Sequence, residues 1–192
     1  MSSARPIATT RSSAGMPTGR LAVWWVIASE IVIFGGILAS YIMHRLAHDA
    51  FAAQAAHTNT WIGAFNTFVL LTSSLSAVMA HRAADHGDGK GAARFLWLTV
   101  GGGATFLIVK AFEWTSEIRE GLTIQSGGFW QYYYTAAGLH AFHVIAGMSV
   151  MAWVATTAAK NQELHRVENV GIYWHFVDIV WIFLFPLLYI AK

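Results

Sequence analysis

Five continuously apolar stretches, at about Leu21–Met43, Trp61–Ala80, Ala93–Phe112, Tyr132–Thr156 and Ile172–Ala191, constrain this chain more than any other feature. Each is close to the roughly 20 helical residues needed to cross ~30 Å of hydrocarbon. In lipid every backbone N–H and C=O must be bonded within the chain, which leaves helices or a closed barrel. Barrel strands alternate apolar and polar residues, and these stretches do not. The expectation is an all-α integral membrane protein, a bundle of five transmembrane helices. Composition agrees: charged residues make up 11% and hydrophobic residues 56%, whereas a soluble domain carries about 25% charged residues to cover its surface.

With no cysteine, the chain has no disulfide, thiolate nucleophile, Cys-ligated zinc or iron–sulfur cluster. Twelve Lys and Arg against ten Asp and Glu is too balanced to suggest nucleic acid as a partner. Residues 1–20 are rich in Ser and Thr, carry Arg5, Arg11 and Arg20, and contain no acid. They read as a flexible cytoplasmic tail, because the apolar run that follows is longer than a signal-peptide core and no small-residue cleavage site ends it. Residues 21–192 then form the membrane domain. With the N-terminus inside, the inner segments hold Arg5, Arg11, Arg20, Arg82, Lys90, Arg94, Lys160 and Arg166, and the outer ones only Arg45, Arg119 and Lys192. The positive-inside rule thus puts the N-terminus in the cytoplasm and the C-terminus outside. The stretch Asp85-His86-Gly87-Asp88-Gly89-Lys90-Gly91 lacks the acid that would complete a calcium loop and reads as a flexible turn. Gly35-Gly36, Ser73-Ser74 with Ser76, Gly101-Gly102-Gly103, Gly138 and Gly147 mark expected sites of close helix packing.

Ionisable residues at membrane depth are functional candidates with a partner. Glu30 lies about 14 Å into the first helix by helical rise, and His143 about 16 Å into the oppositely directed fourth, so a Glu30–His143 contact is geometrically reasonable. His140 is one turn from His143 on a shared face. Bis-histidine haem ligation needs imidazoles from facing helices, so second-shell or packing histidines are favoured over metal or haem ligands. Lys110 and Glu113 read as an interfacial ion pair whose lysine snorkels to the headgroups. His175 and Asp178, one turn apart in the fifth helix, suit an interface with another membrane subunit or an intrahelical hydrogen bond.

The string Tyr173-Trp174-His175-Phe176-Val177-Asp178-Ile179-Val180-Trp181 resembles the last-helix signature of the cytochrome c oxidase subunit III family of haem-copper oxidases. Other elements follow in family order: Ser29-Glu30 with Phe34, Asn66-Thr67 before Leu70-Leu71-Thr72-Ser73-Ser74 and Ala80-His81, then Glu113-Trp114. Gly138-Leu139-His140-Ala141-Phe142-His143-Val144 and Glu168, seven before His175, complete the set. Longer members have seven helices, the first two splayed around a lipid-filled cleft. This chain begins at the equivalent of the third, as short bacterial members do, so the cleft is only partly supplied. Lys110 stands where the family commonly has a neutral polar residue.

The resemblance implies an accessory subunit of a bacterial terminal oxidase of the cytochrome c type, in the cytoplasmic (inner) membrane. Such a subunit carries neither haem nor copper, which lie on partner subunits. It packs on subunit I in a complex with subunit II, holds phospholipid, and supports proton uptake during oxygen reduction. Glu30 then occupies the position of the family's buried, carbodiimide-reactive glutamate, with His143 as its polar partner. His140, His175 and Asp178 are further candidates for proton uptake or the subunit interface, and Asn66, Glu113, Trp174 and Trp181 for packing or lipid contact. The rival readings are a subunit of a quinol oxidase or a nitric oxide reductase and, from another class, an independent transporter or proton channel.

Overall fold

The structure, a computed structural model, describes residues 12–13, 16–48 and 50–191. Most of the expected 1–20 tail lies outside the described residues. Within it, Ser12–Ser13 pairs antiparallel with Met16–Pro17, and the first helix already begins at Thr18.

The five expected helices are present: α1 (Thr18–Ala47), α3 (Thr60–Asp85), α4 (Gly89–Arg119), α5 (Gly128–Ala158) and α6 (His165–Phe185), with a short α2 (Ala50–Ala55) between the first two. All five long helices are apolar and long enough to cross a membrane, and the protein is a multi-pass membrane protein. The first four outrun their apolar stretches at both ends and α6 begins seven residues before its own, because hydropathy marks only the part inside hydrocarbon, whereas a helix continues until its backbone is capped. Asn59 caps α3 by accepting from the Trp61 and Ile62 amides, and Asp88 caps α4 by accepting from Gly91. The 85–91 stretch is accordingly not a loose turn: only residues 86–88 leave the helices, and the Gly89 amide donates to Asn161 at 2.8 Å.

α6 ends in a π-helical turn, Pro186–Ile190. Proline has no N–H to continue the i→i−4 ladder, and the wider turn absorbs the break. Its carbonyls find partners elsewhere: Tyr41 Oη donates to Leu187 at 2.8 Å, Thr58 Oγ1 to Leu188 at 3.2 Å and Thr60 Oγ1 to Tyr189 at 2.9 Å. The turn is thereby fixed against α1 and the start of α3, and Tyr189 is directed into the core.

The core is centred on α4, α5 and α6, with Trp130, Trp174, Trp181, Phe106 and Met151 fully buried. Close helix approach occurs at only some of the small residues. A Cβ on Gly102 would sit 2.5 Å from Ser73 Cβ, and one on Gly103 would sit 2.8 Å from Met148 and Trp174. Gly35, Gly36, Gly101 and Gly138 have nothing within 4 Å of an added Cβ, which corrects their assignment as packing sites. α1 is the least enclosed helix, fully burying only Ile27, Phe34 and Tyr41 among its apolar side chains, with Val23, Ile37 and Leu38 packed in part against the core.

Candidate functional site

α1 turns Glu30 toward α5, and α5 presents His143 to it: Glu30 Oε2 lies 3.1 Å from His143 Nε2, with both side chains largely enclosed. The contact is at ion-pair distance, although Glu30 Oε2 makes no aligned hydrogen bond. His143 Nδ1 is 2.8 Å from the Leu139 carbonyl, which can only accept, so the ring donates there. A neutral imidazole donating from Nδ1 carries its lone pair on Nε2. The approach of Glu30 is therefore favourable only with one proton between the two groups, either as imidazolium and carboxylate or as a carboxyl facing the lone pair. Phe34, one turn above Glu30, packs its ring edge against His143 at 5.4 Å and screens the pair on that side. A double-mutant cycle of Glu30→Gln and His143→Ala should give a coupling energy of at least ~0.5 kcal/mol, against zero for independent residues. The cycle is read from unfolding midpoints in detergent.

His140 points elsewhere. Three helical residues separate side chains by about 60° around the axis, enough to turn His140 into the core, where it stacks on Trp181 at 5.2 Å and meets the edge of Phe106 at 5.4 Å. It is fully buried and neither ring nitrogen has a hydrogen-bond partner. The shared face of the two histidines thus divides, one toward α1 and the other toward α4 and α6.

His175 Nδ1 lies 2.6 Å from Ser74 Oγ of α3, so its bond is between helices, not within one. Asp178 is 3% exposed, and among the described residues neither carboxylate oxygen has an aligned hydrogen-bond partner. Asp178 and His140 are both enclosed within this chain. Asn66 is completely buried with an unpartnered amide. Trp174 Nε1 donates to Ser73 Oγ at 3.1 Å and Trp181 Nε1 to Thr67 Oγ1 at 3.0 Å. Asn66, Glu113, Trp174 and Trp181 are all buried in the core. Lipid-facing aromatic surface comes instead from side chains such as Trp25 (71% exposed) and Trp61 (85% exposed).

The reading of Lys110 as a snorkelling residue is overturned. Its ion pair with Glu113 is present, at 2.9 Å, but Lys110 is 1% exposed. Its stem does not reach the headgroups because the ammonium is bound inside by Tyr189 Oη at 2.5 Å and Tyr133 Oη at 3.1 Å. Tyr133 donates onward to Glu117 Oε1 at 2.9 Å. Glu117, Tyr133, Tyr134 and Tyr189 are thus site residues without an expectation from sequence. Part of the signal is there, since Lys110, Glu113 and Glu117 recur at i, i+3 and i+7 on one helix face.

A groove of about 480 Å³ runs between α1, α5 and α6, walled by Val23, Val26, Val150 and Val154, with Arg166, Asn169 and Tyr173 among its lining residues. Arg166 stacks over Trp153 at 4.6 Å and pairs with Glu163 at 2.7 Å. Nearby, Arg20 pairs with Glu168, which ties α1 to α6 at that end. Among the described residues no three His, Asp or Glu side chains converge as metal ligands.

The family model for cytochrome c oxidase subunit III matches residues 9–192. The chain is 32% identical over 173 residues to the cytochrome c oxidase subunit 3 of Corynebacterium diphtheriae, covering 86% of this chain and 84% of that one. It is 29% identical over 169 residues to the protein of that name from Thermostichus vulcanus, with 85% and 83% covered. A protein of Aeropyrum pernix named heme-copper oxidase subunit I+III is 31% identical over 183 residues, which are 90% of this chain and 22% of that one. A five-helix membrane bundle, its paired Glu30 and His143, and a match along almost the whole sequence lead to one conclusion: the chain belongs to the cytochrome c oxidase subunit III family.

Proposed function

We propose that the chain is the accessory, cofactor-free subunit III of a bacterial cytochrome c oxidase in the cytoplasmic membrane, non-catalytic itself and bound to subunits I and II, which carry the haem and copper. The family match carries this reading. Subunit I as the immediate partner is supported by the relative whose name joins subunits I and III in one chain. The lysine and arginine bias, eight against three, supports a cytoplasmic N-terminal tail and an external C-terminus. In that orientation the groove opens at its Arg166 and Asn169 end toward the cytoplasmic leaflet. A phospholipid fits there, with its phosphate on Arg166 and its acyl chains against the valines of α1 and α5.

Glu30 and His143 supply the proton-related part of the function. A carboxyl and an imidazole at mid-membrane that share one proton can pass it on by exchanging the two arrangements, with little movement of either side chain. Phe34 packs against His143 and both side chains of the pair are largely enclosed, as a slow, buffered exchange with the cytoplasmic side requires. His175 and Asp178, near the middle of α6, are the candidates for conducting protons toward subunit I.

The first test is a mild-detergent pull-down of the tagged chain followed by a reduced-minus-oxidised spectrum and a subunit gel. Haem absorbance should arrive with larger partner chains and leave with them; a colourless chain without partners would overturn the assignment. In the intact complex Glu30→Gln, which removes the exchangeable proton and keeps the shape, should leave haem content unchanged. It should shorten the lifetime of the enzyme during turnover or lower the protons pumped per electron. A variant identical to wild type in both would remove Glu30 from the function.

A further inference from the structure

The buried cluster around Lys110 lies well away from Glu30 and has no part in the reading above. Its members come from three elements: Lys110, Glu113 and Glu117 from α4, Tyr133 and Tyr134 from the start of α5, and Tyr189 from the π-helical turn. His140 of α5 is the next titratable group inward, and among the described residues no further charged side chain bonds to the cluster. Lys110, Glu113 and Glu117 are 1%, 4% and 6% exposed, and over the ammonium stand the rings of Tyr133, Tyr189, Trp114 and Trp181, at 4.8–5.6 Å.

The hydrogens in this cluster can be counted. An ammonium has three to give, and Lys110 has three acceptors, Glu113 Oε2 at 2.9 Å, Tyr133 Oη at 3.1 Å and Tyr189 Oη at 2.5 Å. An ammonium at Lys110 is saturated by these three contacts, the first of them its ion pair with Glu113. Tyr189 donates its hydrogen to Glu113 Oε2 at 3.1 Å and Tyr133 donates to Glu117 Oε1 at 2.9 Å, which leaves neither hydrogen for the 3.0 Å contact between the two hydroxyls. Glu113 Oε2, receiving two donors, is the carboxylate that balances Lys110. Tyr134 has one hydrogen and two neighbours: the Leu122 carbonyl at 2.7 Å and Glu117 Oε2 at 3.4 Å. A carbonyl can only accept, so the shorter contact claims the hydrogen. The approach of Glu117 to the same hydroxyl is then a bond only when Glu117 is the donor. Charge gives the same answer by a separate route: one ammonium and two carboxylates would leave a net negative charge inside an apolar bundle, which is costly, and a single proton removes it.

We propose that this cluster is a proton-binding site, in which Glu117 holds one exchangeable proton between Tyr134 and the Tyr133–Lys110–Glu113 network. The ligand is the proton itself. It exchanges at the α4–α5 connection, where Tyr134 meets Leu122 at the edge of the bundle. The chain thus binds a proton at the end of the bundle opposite the Arg20–Glu168 pair, independently of the site at Glu30.

The experiment is infrared spectroscopy of the full chain, in detergent and carrying Glu30→Gln to remove the other glutamate in contact with a proton partner, in H2O and in D2O. At neutral pH the protein should show a protonated-carboxyl C=O band that moves to lower frequency in D2O. Glu117→Gln should abolish the intensity of one carboxyl. Glu113→Gln should abolish it too, because the remaining Glu117 becomes the only counter-charge to Lys110 and gives up its proton. Tyr134→Phe, which leaves both acids in place, should keep the intensity and shift the band upward as the hydroxyl acceptor is lost. Unchanged intensity in both glutamine variants would overturn the proposal. Should either glutamine variant fail to fold, an unshifted band in Tyr134→Phe would overturn it by itself.

Discussion

Lys110→Met is expected to destabilise the protein by about 3–5 kcal/mol, the cost of leaving one member of a buried ion pair without its partner. Methionine matches the lysine stem in length, so packing against Trp114 and Trp181 survives and the loss is electrostatic. Three bonds disappear together: Glu113 keeps only Tyr189 as a donor, and both tyrosine hydroxyls lose the ammonium that oriented them. Lys110→Met combined with Glu113→Leu should recover most of the loss, because replacing both members of a buried pair by apolar groups is often near neutral. The measurement is reversible unfolding in mixed micelles. A loss below about 1 kcal/mol for Lys110→Met, outside the range for breaking a buried pair, would mean that the pair lies in contact with water, as an interfacial, snorkelling lysine would.

The contrast between Glu30 and Lys110 indicates what a sequence of this kind makes legible. The depth of Glu30 and His143 follows from counting 1.5 Å per residue inward from each apolar boundary. Two residues at matching depth on antiparallel helices need only the right rotation to meet, and the 3.1 Å contact shows that they do. The depth of Lys110 does not follow in the same way, because its apolar stretch ends at Phe112 while α4 extends to Arg119. The seven additional residues beyond Phe112 put Lys110 about 13 Å inside the helix end, and no periodicity indicates where Tyr189 goes after a proline-induced π turn. The glycines failed for a related reason. Small residues permit close approach but do not choose a partner, so Gly102 meets Ser73 while Gly35 and Gly36, on the least enclosed helix, meet nothing within this chain. His140 and Asp178 were legible as buried polar groups, but their depth from the protein surface depends on side-chain direction around the helix, which spacing alone left open.

The largest packing effect is expected at Trp174, which stands where four helices meet. Its indole fills the notch opposite Gly103 of α4, where an added Cβ would lie 2.8 Å from Cη2, and it covers Gly147 of α5, where one would lie 3.1 Å from Cε3. Its N–H bonds Ser73 of α3, and the side chain is completely buried. Both glycines are backbone positions that came close only because the ring occupies the space a side chain would take, so the neighbours cannot collapse inward to refill it. Trp174→Ala should therefore leave a cavity and cost about 3–5 kcal/mol, whereas Trp25→Ala, on the exposed face of α1, should stay within ~0.5 kcal/mol in the same detergent. Trp174→Phe separates the two contributions of the indole. It keeps much of the volume and loses the N–H, whose partner Ser73 Oγ is already engaged with the Leu70 carbonyl at 2.7 Å, so most of the stability should return. If phenylalanine is as damaging as alanine, the hydrogen bond and not the volume holds the four helices at this point. The Glu30–His143 pair offers a built-in control: its two members lie on α1 and α5, and the coupling measured between them should persist in Trp174→Phe.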